Sequence, residues 1–143
     1  MIRSVSLGEE LTITTKNKIG LLADISILLA NRGINIDSVF GREAGDMAEL
    51  KLVTDANLTI MNDLKEKKYK SIKESEVLIV GLGNNPGELK VVAIGLKEAG
   101  IDIKCLYVTS SYTPGAISKM IIQTSDNEKA MAILSNYINT KEL

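Results

Sequence analysis

Asn17-Lys18-Ile19-Gly20-Leu21-Leu22 and Asn84-Asn85-Pro86-Gly87-Glu88-Leu89 decide how this chain folds. Asparagine, glycine and leucine recur in the same frame, 67 residues apart (17 to 84). The same offset makes Ile27/Ile94, Leu29/Leu96, Gly33/Gly100, Ile34/Ile101 and Ile36/Ile103 identical and pairs the aromatics Phe40 and Tyr107. Past a turn the offset becomes 70 (54 to 124), and Thr54/Thr124, Asn57/Asn127, Met61/Met131 and Leu64/Leu134 are identical. Extra residues around Thr113-Pro114-Gly115 account for the change. A repeat of this kind fixes the architecture before any other feature does. It predicts two modules, 1–74 and 75–143.

Each copy reads as the same run of elements. Leu11 to Thr15 is a β-branched strand, with Val77 to Val80 as its apolar counterpart. A glycine turn leads into a helix over about 20–32, with Leu22, Ile25, Leu28 and Leu29 on one stripe. Leu89, Val92, Ala93 and Leu96 form the matching stripe. Gly33 and Gly100 stand where a left-handed residue closes a helix. Ile34-Asn35-Ile36 and Ile101-Asp102-Ile103 alternate as strands do, and a turn at Ala44-Gly45-Asp46 leads to a third strand. Second helices start near Asn57 and Asn127, expected as N-caps. A fourth strand is expected over Tyr69 to Glu74, and in the second copy over Tyr137 to Leu143. The fold class is therefore α+β: two tandem ferredoxin-like βαββαβ modules with antiparallel sheets and the helices on one face. Modules of ~70 residues bury little core alone, so pairing of modules and chains is expected.

Composition narrows function by exclusion. The 143 residues include no histidine, which removes the commonest general base, the usual catalytic triads and most zinc sites. No paired acid–base constellation stands in its place, so no enzyme is expected, and no metal or cofactor is implied. A net charge of -1 gives no concentrated positive field for nucleic acid or an anionic membrane. The lysines at Lys65, Lys67, Lys68, Lys70 and Lys73 are diluted by Glu66, Glu74 and Glu76 and read as a solvated helix end. Cys105 alone permits no intramolecular disulfide and fits a reducing compartment. No apolar run approaches the ~20 residues of a membrane helix, and no basic-then-apolar leader follows Met1. A cytoplasmic protein is expected.

The two turns, each followed by Gly33-Ile34-Asn35-Ile36 or Gly100-Ile101-Asp102-Ile103, resemble the ACT domain family of amino-acid-sensing regulatory modules. The resemblance covers nearly the whole chain and is similar to small stand-alone tandem ACT proteins. Ile19 stands where the family commonly has proline, and Asp102 where it has a second asparagine. The resemblance implies a non-catalytic regulatory protein that binds a free amino acid where two modules or subunits meet. It places the ligand against Asn17, Lys18, Ile19, Gly20 and Leu21 and against Asn84, Asn85, Pro86, Gly87 and Glu88. Asn35-Ile36 or Asp102-Ile103 would reach in from the neighbouring module. The chemistry agrees: free amides at a helix N-terminus suit a carboxylate, and an amide side chain both donates and accepts. The partners implied are the ligand, a second copy in a homodimer, and a separate regulated enzyme or regulator.

Plainer readings stand beside these. Gly20 and Gly87 also suit a purely structural turn, and Asn17 and Asn84 a helix cap. Asn35 also suits a turn and Asp102 a solvated charge; Phe40 and Tyr107 read first as core or interface, and Cys105, matching Ser38, as a small buried strand residue. An oligomerisation module with vestigial pockets is the alternative function. Gly81-x-Gly83 before a helix, with Asp102 some way on, imitates a dinucleotide fingerprint, but its third glycine would fall on Pro86. Of the two turns, the asparagine pair Asn17/Asn35 favours the first as the ligand pocket.

Overall fold

The computed structural model describes residues 1–110 and 113–138. Its elements are β1 (Ile2–Lys16), α1 (Leu21–Asn31), β2 (Ile36–Ala44), β3 (Met47–Thr54), α2 (Asn57–Glu66), β4 (Ser71–Leu82), α3 (Glu88–Glu98), β5 (Ile103–Thr109), β6 (Ser118–Thr124) and α4 (Asn127–Ser135). The chain divides into two compact units: Glu9–Ser75, and Met1–Gly8 together with Glu76–Leu143. Both are α+β, with antiparallel strands and two helices each.

In the first-copy unit, Glu9–Ser75, the strand order is β2-β3-β1-β4. Leu11 and Ile13 of β1 face Leu52 and Leu50 of β3 in register, and every second residue points to the helices. Their core closes on Leu21, Ile25 and Leu29 of α1 and Ile60 and Leu64 of α2, so both helices cover one sheet face. Leu22, expected on the buried stripe, is exposed because Leu21 takes its place. Arg32 joins the ends of the two helices through a bidentate pair to Asp63, 2.7 Å at each oxygen.

In the second-copy unit the order is β1-β4-β6-β5. Leu78, Val80, Met120 and Ile122 meet Val91, Val92 and Leu96 of α3 and Ala130 and Leu134 of α4. Leu89 and Ala93, expected on the stripe, are exposed, and Val91 and Gly95 are buried instead. At the positions matching Arg32 and Asp63 stand Ala99 and Ile133, which pack against this core without an ion pair.

The segment Met1–Gly8, expected with the first module, belongs to this second unit. Ile2 is fully buried in its core and Val5 packs against it, while Tyr69 and Ile72 do the same in the first-copy unit. The offset of 67 (2 to 69) therefore runs on through Ile2/Tyr69, Ser4/Ser71 and Val5/Ile72. The N-terminal half of β1 holds the fourth-strand place in the second-copy unit. The closing strand expected over Tyr137 to Leu143 falls mostly outside the described residues; Ile138 makes a single parallel bridge to Ile2.

Two further expectations change at the helix starts. Asn57 and Asn127 are not N-caps: Ala56 and Asp126 hold that position. Each asparagine instead accepts from a threonine hydroxyl, Thr54 at 2.7 Å and Thr124 at 2.8 Å. Each then donates to a strand carbonyl, Glu9 at 3.1 Å and Glu76 at 2.9 Å. The same bracket is built twice, buried around Asn57 and more open around Asn127. Phe40 and Tyr107 lie across from Lys51 and Ile121, on the strand faces turned away from the helix-side cores. Cys105 is a half-buried free thiol.

Candidate ligand sites at the two strand-to-helix turns

Gly20 and Gly87 occupy the left-handed region, at φ 89° and 93°. A side chain is strained there, so the backbone itself demands glycine at both turns. A Cβ on either would meet nothing within 4 Å, so the outer side of each turn is open. Neither α1 nor α3 receives a side-chain cap, which sets aside the capping reading for Asn17 and Asn84. Both helices thus present their first amides, the positive end of the dipole, beside the turn.

At the first turn the chain satisfies its own charges. The Asn17 amide N–H donates to the Asp46 carbonyl at 2.9 Å, and its side-chain Nδ2 lies 3.5 Å from Glu43 Oε2. Lys18 Nζ pairs with Asp24 at 2.9 Å, and that hydrogen bond holds the ammonium above the ordinary lysine range. Ile19 is fully exposed, whereas Leu21 is buried in the core and faces no ligand. A cleft of about 360 Å³ lies along the flank of α1, lined by Lys18, Asp24, Ile27, Leu28, Asn31, Lys67 and Tyr69. Of the expected site residues only Lys18 lines it.

The second turn opens into a cleft of about 320 Å³. Gly83, Asn84 and Asn85 form one wall, the hairpin residues Thr113 to Ile117 another, and Arg3 of β1 contributes the only charged side chain in the lining. Asn85 Nδ2 donates to Glu88 Oε1 at 3.3 Å, and the other oxygen of that carboxylate meets the Met1 ammonium. Pro86 and Gly87 complete the turn below. Gly45 and Gly115 are both left-handed, φ 66° and 78°, but the first hairpin turns between Ala44 and Met47 and the second, longer one between Thr109 and Ser118. By strand register Glu43 corresponds to Ser110, and Asp46 to Ala116.

Asn35, Ile36, Asp102 and Ile103 are not brought to these turns within a unit. Lys16 pairs with Met47 at one end of β3 and Ile36 with Thr54 at the other. Seven strand steps separate them, about 23 Å. Asn35 donates to Asp37 at 2.9 Å; the Asp102 N–H donates to the Ser125 hydroxyl at 3.0 Å and the Asp102 carbonyl accepts from the Ser125 N–H at 2.9 Å. Arg3 was missed from the sequence because the N-terminal segment was assigned to the other module; the run Ile2/Tyr69, Ser4/Ser71, Val5/Ile72 is the signal that finds it. Gly81, half of the imitation nucleotide motif, is explained by packing: a Cβ there would sit 2.5 Å from Ser4 Oγ. Among the described residues no three His, Cys, Asp or Glu side chains converge as a metal site, and no helix is long and apolar enough to cross a membrane.

No family model matches the chain, and no curated protein sequence does. Solved structures do. Protein BT0572 from Bacteroides thetaiotaomicron superposes with a TM-score of 0.82 at 22% identity, over 92% of this chain and 89% of that one. The regulatory subunit of aspartate kinase from Thermus thermophilus, in its ligand-free form, superposes with 0.69 at 14% identity, over 94% and 97%. A structure of aspartokinase alpha and beta subunits gives 0.67 at 17%, over 97% and 99%. The superpositions show the fold: the chain shares the ferredoxin-like α+β fold of aspartate kinase regulatory subunits, consistent with an ACT-domain protein.

Proposed function

We propose that this chain is a non-catalytic regulatory protein that senses a free amino acid at its strand-to-helix turns. The observation that carries the reading is the full-length likeness of fold to a regulatory subunit, 94% of this chain against 97% of that one. An open glycine turn beside uncapped helix amides, with asparagine at hand, suits a zwitterion's carboxylate. Of the two turns we favour the second, because its cleft is lined by Arg3 and, among the described residues, by no acid. Asn35 or Asp102 lies about 23 Å from the turn of its own unit, so either joins a site only from another module. A homodimer is therefore part of the proposal. Leu22 and Leu89, equivalent and 51% and 46% exposed at the first turn of their helices, offer apolar surface for it. The output passes to a separate enzyme or regulator, driven by the ligand's differential affinity for two states of the assembly.

A thermal-shift screen of the whole chain against the twenty amino acids tests this. At a hundredfold over its dissociation constant, a ligand adds about 2.7 kcal/mol, a melting shift of several degrees for a chain of this length. A shift with ATP, NAD or a coenzyme A ester, and none with any amino acid, contradicts the reading. The rival, an oligomerisation module with vestigial pockets, is favoured by the internally satisfied first turn; it predicts that no small molecule moves the melting point.

A further inference from the structure

We propose that the cleft at the second turn is an anion site for a small monocarboxylate, with Arg3 as the residue that binds the carboxylate; this rests on the amino-acid reading and deepens it. At the first turn the chain supplies its own carboxylate: Glu43 lies 3.5 Å from the Asn17 amide, and Asp46 stands in the same hairpin. Ser110 and Ala116 stand where those acids were in the second copy, and among the described residues no Asp or Glu lines the cleft. The bordering carboxylate, Glu88, is engaged by Met1 and Asn85. Arg3 is exposed and joins none of the ion pairs among the described residues.

The second cleft is thus the first turn with its internal carboxylate removed and a guanidinium added. A guanidinium presents a planar fork matched to two carboxylate oxygens. The hairpin wall of the cleft is small and closely spaced, Gly115 and Ala116, which leaves room for a compact ligand and little for a polyphosphate. One cation also limits the charge that is matched. A dianion would keep one charge uncompensated.

The test is an amide NMR titration of the whole, isotope-labelled chain with acetate, L-alanine, ethylamine and inorganic phosphate, reading Gly83, Asn84, Asn85 and Gly115. Acetate and L-alanine are expected to move these amides and ethylamine to leave them. In Arg3→Gln, acetate affinity falls roughly tenfold or more, while Arg3→Lys keeps part of it. Ala116→Asp restores an acid of the first hairpin in the cleft lining and excludes acetate, with the rest of the spectrum unchanged. Undiminished acetate binding in Arg3→Gln, ethylamine binding as well as acetate, or phosphate binding tighter than either overturns the proposal. Acetate bound through Arg3 with no amino acid binding tighter than acetate sustains the anion site and removes the amino-acid reading.

Discussion

Gly20 and Gly87, Gly45 and Gly115, and Asn57 and Asn127 hold the same backbone in both units, while the charges around that backbone have parted. The first unit carries Glu43, Asp46, Lys16 and Lys18 about its turn and clamps its helices with Arg32 and Asp63. The second carries Ser110, Ala116, Gly83 and Asn85 at the matching places, packs Ala99 and Ile133 where the clamp was, and takes Arg3 from β1. Residues whose φ or buried hydrogen bonds admit one solution have stayed; those facing the clefts have diverged. On the reading proposed above, the difference leaves one copy electrically closed and the other open to a ligand.

The shared framework is tested hardest in the cores. Leu29 and Leu96 are 1% exposed at equivalent positions, so Leu29→Ala and Leu96→Ala should each cost about 2–5 kcal/mol. Urea denaturation reads both, and a core variant with no cost in either unit would break the equivalence. The threonine–asparagine bracket comes next. Asn57→Ala and Asn127→Ala each leave a strand carbonyl, Glu9 or Glu76, without its donor, at about 1–3 kcal/mol. A large loss in one and none in the other would show that the bracket matters in a single copy.

Gly20→Ala and Gly87→Ala force a side chain into the left-handed region, and about 1–2 kcal/mol each is expected from the same denaturation series. Lys18→Met should be the smallest effect, with no measurable change in the midpoint at neutral pH, because the Lys18–Asp24 pair is exposed. Asp24 raises the Lys18 pKa. The small contribution of that ammonium is complete below the ordinary lysine range and is lost only as alkali titrates it above that range. A midpoint that moved with this variant would mark the first turn as structurally coupled rather than closed.

Most of the fold was legible because it is written twice. The turn glycines, Gly33 and Gly100, and the paired isoleucines fall where backbone geometry needs them; Ile34 and Ile101 return their N–H groups to Leu29 and Leu96 at 3.0 Å, the helix stop that those glycines announce. The fourth strand of the second copy was not legible as placed. It precedes its module in the chain, and its one signal, the run of Ile2 to Val5 against Tyr69 to Ile72, is short and holds a single identity, Ser4/Ser71. The stripe was displaced by a residue because Leu21 and Leu22, like Val91 and Val92, offer two apolar neighbours, and only packing decides between them. Spacing along the chain also cannot say which end of a sheet a residue reaches. Asn17 and Asn35 stand close in sequence and at opposite ends of β3.

Calorimetric titration of the amino acid giving the largest melting shift into the parent chain, Asn17→Ala and Asn84→Ala tests the central contrast most directly. Asn84→Ala should lose about 0.5–1.5 kcal/mol of binding, more where its partner is the carboxylate, and Asn17→Ala should bind as the parent does. Loss of binding in Asn17→Ala with Asn84→Ala unaffected would contradict the account.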